Sequence, residues 1–190
     1  GIRALDLTVW LGTYAARLFA DLGARVVRIE QPGVVAGCCG DAAAAARFSF
    51  MNASKELLHI DLATVDGEAA LKREAARSQL VFIERDGPLW DRLGELARLA
   101  PSAVIVACSP FGVDGPMRDA PASDLILQAA GGIAWMSGRP SAPPLALPEG
   151  QVEMVTSVYA ATVAAIALVD AERTGRGHVI DVSAQECIAH

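Results

Sequence analysis

In an α/β chain, the first turn between a strand and a helix is where phosphate is usually held. The free N–H groups of the helix N-terminus point there. In this sequence that turn reads Leu7-Thr8-Val9-Trp10-Leu11-Gly12-Thr13. It has one glycine and lacks the GxGxxG spacing that lets a dinucleotide pyrophosphate approach the backbone, which counts against an ordinary nicotinamide enzyme. Glu30, at the end of the second strand, could hold a ribose hydroxyl, although a solvated strand-end acid is the plainer reading. The cysteines Cys38, Cys39, Cys108 and Cys187 form no CxxC pair and no Cys/His cluster with zinc spacing, so no metal is expected. Cys38 and Cys39 sit in a Gly-rich stretch and read as exposed thiols, whereas Cys108 reads as core. This cysteine usage fits a reducing, cytoplasmic compartment. His59 in a strand and His178 beside a turn read as structural.

Composition narrows the partners. The chain has 190 residues, 53% of them hydrophobic and 20% charged, which suits one globular domain with a sizeable core. A net charge of −6 argues against nucleic-acid binding, which needs an excess of Lys and Arg. An anionic cofactor would require a local basic spot. The longest apolar run, Val158 to Val169, is shorter than the roughly 20 residues of a membrane span. The first residue is Gly1 and the last residues break off inside a helical pattern, so residues 1–190 are expected to be one domain from the N-terminal part of a longer chain.

Periodicity supplies the elements. Ile2–Leu7 reads as a strand, Leu11, Ala15, Leu18, Phe19 and Leu22 follow at helical spacing, Gly23 caps that helix, and Arg25–Glu30 is a second strand. Strand, helix and strand make a βαβ unit. Gln31 to Arg47 has no clear period and reads as loop, with room for a helical turn in its alanines. Further strands are expected at Leu57–Leu62, Gln79–Glu84, Ala103–Ser109 and Val179–Val182. Helices are expected from a Thr64 cap to Arg77, at Asp91–Leu99, at Asp124–Gly131 and at Val152–Arg173, the last apolar nearly all round and therefore buried. Pro110–Pro121 and Ser137–Gly150 are loops. The alternation predicts an α/β fold with a doubly wound, mostly parallel, Rossmann-like sheet.

Several of these segments carry a resemblance. Ile2 to Leu7, Ala20 to Glu30, Asn52 and Lys55 with Ile60-Asp61-Leu62, Asp91 to Gly94, Phe111 to Pro116, Asp124-Leu125-Ile126, and Glu172 to Gly177 with Asp181-Val182-Ser183 follow one another in the order and spacing of the class III CoA-transferases. The sequence resembles the N-terminal part of that family, which includes formyl-CoA and carnitine CoA-transferases and α-methylacyl-CoA racemases.

The resemblance implies covalent carboxylate chemistry. A family aspartate attacks an acyl-CoA thioester, and the resulting anhydride is converted to an enzyme-bound CoA thioester, which divides one hard exchange into easier steps. A loop following the aspartate should supply backbone N–H groups to the oxyanion. Counting back from Thr174-Gly175-Arg176-Gly177, the aspartate position falls on Glu153. Glutamate offers the same group about one ångström further out, a displacement that can cost about a hundredfold in rate. As a plain structural reading, Glu153 is an acid complementing a helix N-terminus. The resemblance also nominates Val9 as a wall of the CoA channel, with Trp10 beside it, and Arg28, Lys55, Arg85 and Arg118 as contacts for the CoA phosphates. Solvated surface positions are the alternative for each of these cations.

Three functions follow as expectations. The first is an acyl-CoA:carboxylate CoA-transferase using Glu153, with acyl-CoA and a small carboxylic acid as substrates. The second is an inactive domain that supports an active tandem or heteromeric partner. The third is an acyl-CoA racemase or isomerase, which Ser123 disfavours because it stands where racemases carry an acid/base histidine. The family also implies a homodimer.

Overall fold

The computed structural model describes residues 1–32 and 42–190. Cys38, Cys39 and most of the expected loop from Gln31 lie outside the described residues. Six strands, β1 (Arg3–Leu7), β2 (Arg25–Glu30), β3 (Glu56–His59), β4 (Leu80–Glu84), β5 (Val104–Ser109) and β6 (His178–Ser183), form one sheet in the order β3-β2-β1-β4-β5-β6. Every neighbouring pair is parallel. The order runs outward in both directions from β1 and β4. Their C-terminal ends therefore part at a switch point, where α/β sheets open a crevice.

Side-chain alternation in the central strands explains the two covered faces. Ala4, Val26, Phe82, Val106 and Cys108 point to one side, into a core shared with α1 (Thr13–Asp21), α7 (Gln151–Thr174) and α8 (Ala184–Ala189). Leu5, Val27, Val81, Ile83 and Ile105 point to the other, against α3 (Val65–Arg77) and α4 (Leu93–Leu99). Thr64 caps α3 as expected, its side chain accepting from the N–H of Gly67. Two short helices, α5 (Asp124–Ala130) and α6 (Ile133–Met136), precede the Pro-rich loop that leads into α7.

Three expectations need correction. The Ala-rich stretch is a full helix, α2 (Ala42–Met51), not a single turn. The third strand is Glu56–His59, shorter and earlier than Leu57–Leu62, because Asp61 and Thr64 form the turn that starts α3. The long helix α7 is not buried all round. Ala160 and Ala164 are inaccessible against the sheet, whereas Val158 (50% exposed), Ile166 (68%) and Val169 (69%) face outward. By length and composition α7 could cross a bilayer. Here it lies on the β5–β6 side of the sheet and against α1.

Candidate active site

The site begins with Asp6, near the C-terminal end of β1. Its carboxylate is fully buried, and parallel register sets it beside Arg28 of β2. One oxygen accepts from the Thr8 N–H (3.0 Å) and hydroxyl (2.6 Å). The other accepts from Lys55 Nζ (2.7 Å) and Arg28 Nη1 (3.2 Å). Lys55 also donates to the Thr13 carbonyl (2.8 Å) and Asn52 Oδ1 (3.0 Å), and Arg28 Nε donates to Glu30 (2.5 Å). Burial alone would raise the Asp6 pKa, but Lys55 and Arg28 together hold it below its ordinary value. Burial draws the Lys55 pKa down, against the pull of Asp6. Two acids and two bases thus close into a compensated internal network, the arrangement buried charges require. The head group of Lys55 is engaged inside this network and is not presented to a phosphate. Glu30, weighed as a ribose ligand, is engaged there too.

The network supports one wall of a small cavity. Gly12, at φ 87°, turns the chain from β1 into α1 where a side chain has no room, since a Cβ would lie 2.9 Å from Cys108 Sγ. The preceding Val9–Trp10 segment is pinned by Glu84 at the end of β4, which accepts the Trp10 N–H at 2.8 Å and also bonds the Val9 backbone. Burial pushes the Glu84 pKa to about 8 against those two bonds, so at neutral pH it is an uncharged acid. Its second oxygen has no partner among the described residues.

Glu153 faces the same cavity from the first turn of α7. The loop before it is fixed by α5. Asp124 Oδ1 accepts the N–H groups of Gly150 and Val152 (both 3.2 Å), and Gln128 exchanges hydrogen bonds with both backbone groups of Leu147 (2.7 and 3.2 Å). Gly150, at φ 94°, makes the turn into the helix. The Gly150 and Val152 N–H groups are therefore committed to Asp124 and are not oxyanion donors. Only 3% of the Glu153 side chain is exposed. Burial is the main reason its pKa rises to about 7, with Asp124 adding to the rise and Arg47 and Lys55 opposing it. A helix N-terminus favours a carboxylate, but here desolvation outweighs it. Arg47 of α2 forms an ion pair with Glu153 Oε2 and is itself 45% exposed.

The cavity, about 130 Å³, is lined by Val9, Trp10, Thr13, Arg28, Arg47, Phe48, Met51, Asn52 and Glu153. Of the residues nominated from sequence, the structure brings Val9, Arg28 and Glu153 together here and places Lys55 beneath them. Arg85 and Arg118 stand apart from this cavity. Both pair with Asp119, and Arg85 lies over the Trp90 ring at 5.6 Å. Ser123 is the N-cap of α5, its hydroxyl accepting the Ile126 N–H, which is a helix-capping role and no substitute for an imidazole. His178 is tied to Asp170 at 2.9 Å, joining β6 to the end of α7. Arg47, Glu84 and Asp124 were not identified as site residues from sequence. Among the described residues no three metal-ligating side chains come together. Larger concavities of about 580 and 520 Å³ run along α7, the first at the opposite end of the sheet, and both have mainly apolar linings.

Fold and site together define an α/β domain in which a buried acid, Glu153, faces a small cavity at the C-terminal edge of a parallel sheet. The chain belongs to CoA-transferase family III, whose family model matches residues 1–190. It is 31% identical over 98% of its length to the succinyl-CoA:(R)-benzylsuccinate CoA-transferase subunit BbsE of Thauera aromatica, covering 48% of that protein. It is 35% identical over 96% of its length to the acetyl-CoA:oxalate CoA-transferase of Acetobacter aceti, covering 50% of it. The chain thus spans about half the length of these curated relatives. A CAIB/BAIF family protein from Brucella suis shares the fold, with a TM-score of 0.91 at 23% identity over all of this chain and 53% of its own. Rv3272 from Mycobacterium tuberculosis superimposes with a TM-score of 0.81 at 25% identity, over 99% of this chain and 55% of its own.

Proposed function

We propose that this chain is the nucleophile-bearing domain of an acyl-CoA:carboxylate CoA-transferase and that Glu153 is its nucleophile. The observation that carries the reading is the position of Glu153. It is a carboxylate almost removed from water, titrating near neutrality, in the wall of a cavity of about 130 Å³. Desolvation makes a carboxylate more reactive, and a pKa of about 7 leaves it ionised for a useful fraction of the time.

The chemistry closes without a metal or an external base. A Glu153 oxygen attacks the acyl carbon of the thioester, the C–S bond breaks and CoA leaves as a thiolate. The thiolate attacks Cδ of Glu153 in the mixed anhydride, and the donor acid departs as a carboxylate. An acceptor carboxylate then attacks Cδ and expels the thiolate. The thiolate attacks the acceptor acyl carbon, giving the new thioester and restoring Glu153. A cavity of about 130 Å³ is small beside the roughly 300 Å³ at which ligand pockets begin. It suits the reacting end of the substrate, with the nucleotide of CoA outside near the loops that carry Arg85 and Arg118. The reading includes a larger assembly in the cytoplasm, in which further chain, a second copy or a tandem domain completes the site. The chain length relative to its relatives and the exposed apolar face of α7 support the larger assembly, whereas the cytoplasmic location rests on cysteine usage alone.

Isotope exchange tests the reading. Acyl-CoA, tried as the acetyl and succinyl esters, is mixed with the corresponding labelled acid, and label is followed into the thioester. Exchange that Glu153→Gln abolishes is expected. Exchange that survives the substitution would assign the chemistry to another residue, and its absence in the wild type would leave the supporting-domain reading in place.

A further inference from the structure

We infer that Arg47 is the residue that recognises the acceptor carboxylate, exchanging its bond to Glu153 for a bond to the incoming acid once Glu153 has been converted to the CoA thioester. The inference rests on the covalent role of Glu153 proposed above.

Among the described residues, three charged side chains line the cavity, Arg28, Arg47 and Glu153. Arg28 is 1% exposed and bonded to Asp6 and Glu30, so its charge is balanced from beneath. Arg47 differs on each count. Its one ion pair among the described residues is with Glu153, and nearly half of its side chain reaches solvent. It is held on α2, whose next residues, Phe48 and Met51, also line the cavity, and its guanidinium lies against Gly150 at the start of α7.

The reaction changes the charge of that partner. As a carboxylate Glu153 neutralises Arg47, but as an anhydride or thioester it is uncharged. Arg47 then carries an unbalanced positive charge at the carbon that must be attacked next. The attacking group is a carboxylate, which a guanidinium fork binds through two parallel N–H bonds. The anion content of the cavity is thereby held constant: Glu153 supplies the charge before acylation and the acid supplies it afterwards. Space sets the class of acid. Liquid water occupies about 30 Å³ per molecule, so a cavity of about 130 Å³ takes a carboxylate with a short carbon chain. Longer chains must extend out past the exposed side of Arg47. Loading of Glu153 from acetyl-CoA involves a neutral acyl group and makes no such demand.

The test separates loading from discharge. The intact protein is loaded with acetyl-CoA and freed of excess, and the adduct is verified by mass as CoA less water. Acetate then discharges it, as it must, because this is the reverse of loading. In wild type the discharge rate saturates with acetate. In Arg47→Gln the half-saturating acetate concentration is expected to rise about 10- to 100-fold, the cost of losing a charged hydrogen bond. At a pH above the titration of Glu153 in both proteins, the loading rate and the maximal discharge rate should change far less. Arg47→Lys should recover much of the loss, because it restores the charge without the fork. Equal half-saturation in wild type and Arg47→Gln would overturn the inference while leaving the role of Glu153 intact. Failure of acetyl-CoA and succinyl-CoA to form any adduct would overturn that role, and the inference with it.

Discussion

Two groups of charges lie within one site and behave differently. The Asp6–Arg28–Lys55–Glu30 network is closed, with its positive and negative groups matched and joined to backbone and hydroxyl groups as well. The Arg47–Glu153 pair is open, with one partner buried, the other half in solvent, and a single ion pair between them. The closed group is balanced internally and holds β1, β2 and the turn at Lys55 together. The open pair can exchange a partner at little cost. A buried charge is therefore informative about function chiefly when its compensation is incomplete.

The sharpest way to break that contrast is to remove one acid from each group. Glu153→Gln should lower turnover by about ten thousandfold or more, the scale of losing a covalent nucleophile, with little loss of folding stability because it removes a costly buried charge. Asp6→Asn should do the reverse to stability. It leaves Arg28 and Lys55 buried without their shared partner and should cost about 3–5 kcal/mol, measured by urea denaturation. If the two substitutions destabilise equally, the distinction between closed and open groups is wrong.

A smaller effect is expected at the turn that shapes the cavity. Gly12→Ala places a side chain at positive φ and within 2.9 Å of Cys108 Sγ. It should cost about 1–3 kcal/mol in strain and weaken acyl-CoA binding, both measurable by thermal shift with and without ligand.

The fold was legible because strand and helix periods alternate through the sequence and the strands end in recognisable turns. Glu153 was legible only through resemblance and a count back from Thr174–Gly177. Arg47 was not, because it lies in an alanine-rich stretch with no period, and its partner is far along the chain. The resemblance nominates Arg28 and Lys55 as phosphate contacts, and the sequence shows their charge but not the buried Asp6 that engages both. The outer face of α7 was misread for a related reason: composition shows that a helix is apolar but not which of its sides this chain covers.

The mildest predictions concern pH. Glu153 loses its proton near pH 7, so the rate of loading should rise about tenfold per unit below that value and level off above it. In Arg47→Gln the rising limb should move to higher pH, since Arg47 pulls that pKa down. Stability has the same origin. Glu84 and Glu153 bind protons more tightly folded than unfolded. Their contribution is full below the ordinary carboxylate value of 4.5 and is lost as pH rises through about 7 and about 8. Asp6, held below 3.8, acts in the opposite sense and loses its contribution only in stronger acid. Glu84→Gln should therefore flatten the decline of stability between pH 4.5 and about 8, as urea midpoints across that range would show.

The central claim is that Glu153 becomes covalently bonded to CoA. The most direct test is to incubate the intact protein with acetyl-CoA or succinyl-CoA, quench in acid and map the modified peptide by mass spectrometry. The expected result is an adduct of CoA less water on the peptide carrying Glu153, absent from Glu153→Gln. An adduct on any other peptide, or none with either thioester, would contradict the account.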